Sequence, residues 1–317
     1  MKPDYMNVSF APHINDRVTT RGIMLDVIIA LCPALIASVL IFGPRAGFIT
    51  GVCVSACVFF EWAFGKATKR KNTVGDLSAI ITGMLLAFNL PVTIPVWQAI
   101  TGCLVAIIIV KQLFGGLGKN FANPAITARV VMFLAFPITM TTWVVPELAA
   151  FKWAGIDSLT GATPLALLAH EDYFAMPIAM DLFLGIHGGC LGETSELALL
   201  LGGIYLLIRK VITWHAPVTF IATVFILTGV TGSFPLFQIL SGGLFLGAFF
   251  MATDYVTTPL TKTGRVIFGI GAGLITFLIR LYGSYPEGVS FSILLMNMIV
   301  PYINKLTLPK ALGGLKG

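Results

Sequence analysis

The sequence predicts an all-α integral membrane protein of about ten transmembrane helices. It predicts two repeated halves with broken or half-spanning helices, and both termini in the cytoplasm. Three observations carry that expectation. First, 57% of the 317 residues are hydrophobic and 11% are charged, with mean hydropathy +0.92. A soluble domain carries about 25% charged residues. A globule of this composition could not cover its surface, and a disordered chain needs far more charge. Second, the apolar residues gather into ten runs. Third, 17 of the 20 Lys and Arg fall between runs on one side, leaving only Arg45, Lys152 and Arg280 on the other. The basic balance (pI near 9.1) therefore reads as a topology signal and not as a nucleic-acid footprint.

The runs are Met24–Phe42, Ala46–Phe64, Leu77–Leu90, Val96–Val110, Pro124–Met140, Thr194–Ile208, Val211–Val230, Phe234–Ala252, Val266–Leu281 and Val289–Tyr302. Several are shorter than the roughly 20 residues that a 30 Å core requires. Gly and Pro flank the short ones, as in helices interrupted around an internal site. An even number of crossings keeps both ends on the Lys/Arg-rich side. This gives a cytoplasmic tail over 1–22, a membrane domain over 23–302 and a cytoplasmic tail over 303–317. The membrane domain divides into a first half (23–140), an outer loop (138–193) and a second half (194–302). No cleavable signal peptide is expected.

The outer loop carries Glu147, Asp157, Glu171, Asp172, Asp181 and Glu193 against the single Lys152. Long loops of this kind are usually functional or disordered. Trp143, Phe151, Trp153 and Tyr173 favour a folded one. An internal repeat is readable. Pro95–Leu104 echoes Pro235–Leu244, with Trp97-Gln98 matching Phe237-Gln238 and Thr101-Gly102 matching Ser241-Gly242. Pro124 to Arg129 similarly echoes Pro259 to Arg265.

Five cysteines lie at 32, 53, 57, 103 and 190, without a CxxC pair. Cys53 and Cys57 share a helix face, which suits buried small residues better than a metal. His13, His170, His187 and His215 are scattered, so no metal is expected. Asp26, Glu61 and Asp76 read as interfacial or helix-end charges. Arg129, about two turns into the fifth run, suits pairing with a carboxylate. Glu193 and Glu196 stand at the outer start of a short helix, and Asp254 at the inner end of the eighth run. Ionisable groups at such depth are costly. Asp254 and Glu193 are therefore candidate ion-pathway residues. The hydroxyls of Thr257, Thr258, Thr261 and Thr263 follow Asp254. A salt bridge from Lys262 or Arg265, or a helix-junction cap, is its structural alternative.

The sharpest motif is Asp157-Ser-Leu-Thr160-Gly161-Ala162-Thr163-Pro164. Read from residues alone, it is a loop entering a helix, with Thr163 as N-cap and Pro164 at the first helical position. The pattern Asp-x-x-Thr-Gly-Ala-Thr also resembles the site at which a flavin transferase esterifies FMN to threonine in the NqrB/RnfD family. Three further stretches resemble that family. They are Gly115–Ala125, with its Asn120-x-x-Asn123-Pro124; Gly192-Glu193-Thr194-Ser195 followed by Leu201-Gly-Gly203; and Ala252–Pro259. The resemblance runs from Pro12-His13 to the tenth run. The long N-terminal extension expected of the NqrB branch is missing, which favours the RnfD branch.

The resemblance implies a multi-pass subunit of the bacterial cytoplasmic (inner) membrane in an Rnf complex. Such complexes pass electrons between reduced ferredoxin and NAD⁺ and couple the flow to Na⁺ or H⁺ export. It implies covalent FMN on Thr163 at the outer face, with Asp157, Thr160, Gly161 and Ala162 as the recognition sequence. It also implies non-covalent riboflavin near Asn120 and Asn123. The implied partners are the other Rnf proteins, the bilayer and the ion. Those proteins are the membrane components RnfA and RnfE, the flavin protein RnfG, and RnfB and RnfC. Nucleic acid is not among the partners. No dinucleotide fingerprint or iron–sulfur cysteine set is present, so NAD⁺ and ferredoxin are expected on other subunits. A small-solute channel and a purely structural anchor are the competing readings.

Overall fold

The computed structural model describes residues 19–70, 73–144, 161–169, 176–283 and 287–309. These residues form helices and connecting loops. Four helices are long and apolar enough to cross a membrane: α1 (Thr20–Phe42), α2 (Pro44–Ala67), α13 (Lys262–Tyr282) and α14 (Val289–Thr307). Shorter apolar helices are α3 (Ser78–Phe88), α5 (Pro124–Ala135), α9 (Glu196–Ile208) and α10 (His215–Val230). α4 (Val96–Leu104) runs on as a π-helix over Val105–Gln112. Short pieces α6 (Pro137–Met140), α7 (Pro164–Ala169) and α8 (Ala179–Leu184) precede α9. The eighth predicted run is split into α11 (Pro235–Ile239) and α12 (Leu244–Leu246), the latter continuing as a π-helix over Gly247–Met251.

Helix ends differ from the sequence reading where capping decides them. α1 starts at Thr20 because the Thr19 hydroxyl accepts from the Gly22 N–H at 3.1 Å. α13 starts at Lys262, capped by Thr261 through the Gly264 N–H. The single run expected over Pro124–Met140 breaks at Phe136, because Pro137 cannot continue an α-helix. α9 begins only at Glu196, with Thr194 outside it and Ser195 as its cap.

The interruption at Leu240–Gly243 is the most consequential departure from a regular helix. Gly242 has φ +69°, a left-handed conformation suited to glycine. Carbonyls freed within a membrane domain need internal donors. Here the buried Arg280 of α13 supplies them, donating to the Gln238 carbonyl and to the Ser241 carbonyl at 3.0 Å. The two stretches that echo each other in sequence follow similar element orders. Both Pro-initiated stretches end in a π-helix, and each is followed by a loop and a side-chain-capped helix, α5 or α13.

Packing between helices uses small residues, as expected without a hydrophobic drive in lipid. Gly269 and Gly273 of α13 lie against Thr219 and Thr223 of α10. One side of α1 carries exposed Leu25, Ile29, Ile36 and Leu40, a surface matched to lipid.

Candidate functional site

Two polar centres lie in this apolar body, one at each end of the short helices. The first borders a cavity of about 780 Å³, mouth included, between α1, α3, α9 and the π-helix over Gly247–Met251. Its lining is mostly apolar, with Lys111, Asn120, Asn123 and Asp254 as the chemically distinctive groups. Asn123 caps α5, accepting from the N–H groups of Ala125 (3.0 Å) and Ile126 (3.4 Å). The Asn120 side-chain oxygen is buried and has no partner among the described residues. With its amide turned to donate to the Thr257 carbonyl (3.1 Å), Asn297 of α14 accepts from the Asn123 N–H (3.2 Å). The Asn123 and Thr257 loops are thereby tied together.

Lys111 is fully buried and donates to Glu61 (2.8 Å) and to the Ser78 hydroxyl (2.6 Å). Gln112 and Thr73 donate to the other Glu61 oxygen at 3.1 and 2.5 Å. Glu61 is therefore not an interfacial charge, as its sequence position suggests. It is 2% exposed and its charge is met within the fold by Lys111. Asp76 does serve a helix end, accepting from the Ser78 N–H and hydroxyl. Asp26 meets Tyr205 and the exposed Arg209 at 3.0 and 3.2 Å.

Asp254 is half-buried on the cavity wall. It accepts from the Val256 N–H (3.4 Å) and the Thr257 hydroxyl (3.1 Å), a helix-junction cap. Among the described residues, neither Lys262 nor Arg265 forms a salt bridge with it. Arg265 instead donates to the Pro259 carbonyl and the Thr213 hydroxyl. Burial pushes the Asp254 carboxyl above the usual aspartate range, while its two donors pull it back.

The second centre surrounds Arg129 of α5. Its guanidinium donates to Asn89 (2.7 Å), Glu193 (3.3 Å) and Glu287 (2.5 Å), with the Cys190 sulfur at 3.5 Å. The expected carboxylate partner of Arg129 is thus present twice over. Cys190, Glu193 and Glu287 bring their donor atoms within 4.8 Å of one another, a spacing that suits a metal ion. The guanidinium already engages all three. Glu193 is buried, its second oxygen accepting from the Cys190 N–H at 3.3 Å. Burial pushes Glu287 up to about 7, the Glu193 charge adding to this while Arg129 and Arg280 oppose it. Glu287 and Arg280 carry no local sequence signal of this role, since their partners lie far along the chain.

The segment 190–192 runs against the end of α3, where Leu191 and Gly192 donate to the Leu90 and Phe88 carbonyls. Only glycine fits at 192, since a Cβ there would overlap the Phe88 ring. Thr163, 5% exposed, stands at the start of α7. Its hydroxyl oxygen accepts from the Ala166 N–H at 3.2 Å, the N-cap that its sequence context predicts. Gly161 donates to the Trp143 carbonyl, and Ala162 is exposed. Asp157 and Thr160 lie outside the described residues, as do the aromatic residues Phe151, Trp153 and Tyr173 of the same loop. Leu165, two residues on, packs against Gly242 of the interrupted helix. Thr163 is therefore tied through α7 to the break that Arg280 holds. Asn120, Asn123 and Asp254 meet at the other centre.

Residues 7–313 match the family described as NQR2, RnfD, RnfE. The chain belongs to this family. Among similar NQR2/RnfD/RnfE proteins is the D subunit of the Na⁺-translocating ferredoxin:NAD⁺ oxidoreductase complex of Acetobacterium woodii. It is 46% identical over 310 residues, covering 97% of this chain and 95% of that protein. The D subunit of the proton-translocating ferredoxin:NAD⁺ oxidoreductase complex of Clostridium ljungdahlii is 42% identical, covering 99% and 98%. The D subunit of the ion-translocating oxidoreductase complex of Stutzerimonas stutzeri is 39% identical, covering 94% and 93%.

Proposed function

We propose that this chain is the flavin-bearing membrane subunit of an ion-translocating ferredoxin:NAD⁺ oxidoreductase complex of the cytoplasmic membrane. In this reading FMN is esterified to Thr163 on the outer face, and riboflavin sits non-covalently in the cavity beside Asn120 and Asn123. The membrane components RnfA and RnfE, the flavin protein RnfG, and RnfB and RnfC complete the complex. NAD⁺ and ferredoxin dock on those other subunits.

The observation that carries the reading is the position of Thr163. The hydroxyl of the flavinylation pattern caps a short helix that packs, through Leu165, on the interrupted helix above the Arg129 network. A phosphoester replaces only the hydroxyl hydrogen, so the oxygen keeps a lone pair for the Ala166 N–H. Because Thr163 is buried, attachment has to precede the packing of α7. The cavity suits the second flavin. Its apolar walls accept a planar ring system, and the unpartnered Asn120 oxygen offers an acceptor at the edge. Lys111, held by Glu61 and Ser78, places a buried ion pair on the same wall. Bound flavin supplies the redox chemistry. The residues of this chain bind and orient it, keep water away and set the local charge.

Asp254 fits an ion-uptake role at the cytoplasmic end, where hydroxyls and carbonyls of the loop replace an ion's water shell. Asp254→Asn keeps the shape and removes the charge. We expect slower electron transfer that demands more Na⁺, with covalent flavin content unchanged. Because burial raises the Asp254 carboxyl, protons compete with the ion at a higher pH than they would at an exposed aspartate. Unchanged turnover and unchanged Na⁺ dependence would remove the role. Glu193, committed to Arg129 and the Cys190 N–H, acts in this reading as a neutralising member of the outer network.

In-gel ultraviolet fluorescence of the denatured chain tests the main proposal. The wild-type band should glow, and the Thr163→Ala band should be dark at equal membrane insertion. A dark wild-type band from cells with an active flavin transferase would leave a solute channel or a bare anchor.

A further inference from the structure

The outer network has an uncompensated member. Glu196, the first residue of α9, is 0% exposed, and neither of its carboxyl oxygens has a hydrogen-bond partner among the described residues. The charged groups facing it are Glu193 and Arg280. Around Glu193 stand Arg129, Glu287 and the Cys190 thiol, with His187 on the adjoining loop. The ionisable groups of opposite sign do not balance. Glu193, Glu196 and Glu287 make three carboxyls against the two guanidiniums of Arg129 and Arg280. In a buried, low-dielectric site a charge without a partner is expelled or neutralised. Glu193 and Glu287 each receive a donor from Arg129, whereas Glu196 receives none. Arg129 already donates to Glu193 and Glu287 and lies 3.5 Å from the Cys190 sulfur, so these ligand atoms are engaged by a guanidinium. One proton on Glu196 makes the network neutral.

We propose that Glu196 is a proton-binding site, holding one exchangeable proton within the Arg129–Glu193–Glu287 network, and that Arg280 sets how tightly the proton is held. The control lies in the interrupted helix. Both terminal nitrogens of Arg280 are anchored to carbonyls of the break, at Gln238 and Ser241, while its Nε and the Ser241 hydroxyl have no partner among the described residues. A shift of the break carries the guanidinium with it. An approaching positive charge favours the ionised carboxyl, so movement toward Glu196 releases the proton and movement away retains it. His187 lies on the loop side, within electrostatic reach of Glu193. Its Nδ1 bonds the Gly188 carbonyl at 3.0 Å, which places the ring hydrogen there and leaves a lone pair on the unpartnered Nε2. Burial lowers the His187 pKa, keeping that nitrogen unprotonated at rest. The site needs no flavin on Thr163 and stands or falls separately from it.

Infrared difference spectroscopy of the purified complex at neutral pH in Na⁺-free buffer tests the assignment. The expected signal is the C=O stretch of a protonated carboxyl, shifted in D₂O and lost in Glu196→Gln. Glu196→Asp decides which carboxyl carries the proton, and it serves also if the glutamine variant fails to assemble. A band that moves in frequency in Glu196→Asp supports Glu196. A band at unchanged frequency places the proton on another carboxyl of the network, Glu193 or Glu287, and overturns the proposal. The absence of any such band in the wild type overturns it, as does its survival in Glu196→Gln. A band abolished by Na⁺ at constant pH would make the site a metal-cation site and equally refute it.

Discussion

The Lys111–Glu61 pair, with side chains 2% and 1% exposed, lies among apolar residues with further donors from Gln112 and Thr73. Removing one partner strands a buried charge, at a cost of about 3–5 kcal/mol. Lys111→Ala should therefore abolish or strongly reduce the recovery of assembled protein, measured by size-exclusion yield and thermal unfolding in detergent. Arg209→Ala, which removes the exposed partner of Asp26, should leave both measurements unchanged. Equal losses in the two variants would contradict the buried-pair account. Removal of the Asn123 cap by Asn123→Ala should cost about 1 kcal/mol in the same assay. The Asn297 link between the Asn123 and Thr257 loops runs through the Asn123 backbone and loosens with it.

Interrupted and π-helical elements border both polar centres, and their geometry makes sharp demands. A Cβ at Gly243 would stand 2.6 Å from the Glu193 carboxylate, and one at Gly192 would enter the Phe88 ring. Gly243→Ala and Gly192→Ala should each lose the assembled protein. Gly51→Ala on α2, where a Cβ meets nothing within 4 Å, should be tolerated or slightly stabilising by up to about 1 kcal/mol. Tolerance of all three changes would mean the segments do not pack this closely. Much at this scale is legible in the sequence. Pro124 after Asn123 and Pro164 after Thr163 announce helix starts through their fixed φ and missing N–H. Pro95 and Pro235 mark the repeat. The pairing of Arg129 with a carboxylate is readable from its depth, because a buried guanidinium must find an anion. Glu287, Arg280 and the Lys111–Glu61 pair are not readable. Their contacts join positions 158, 39 and 50 residues apart, and no local periodicity encodes such a meeting. Lys111 stands at a run's end in the linear sequence and counts as a loop charge, yet it is buried in an ion pair.

For the whole molecule, the Lys/Arg bias keeps its sign without the buried Lys111 and Arg129, and the proposed orientation, with the α2–α3 connection in the cytoplasm and the Thr163 loop outside, rests on it. A cysteine at the exposed Met180 should react with an impermeant maleimide added to intact cells, and one at the exposed Thr68 should react only after lysis. The reverse pattern would invert the molecule and place α7 in the cytoplasm. The proposed electron relay rests on a flavin esterified to Thr163. Its most direct test is mass spectrometry of the proteolytic fragment containing Thr163, taken from the complex made in cells with an active flavin transferase. The expected fragment is heavier by FMN less one water, with the added mass mapped to Thr163 and absent from Thr163→Ala. An unmodified Thr163 in that fragment would contradict the flavin relay.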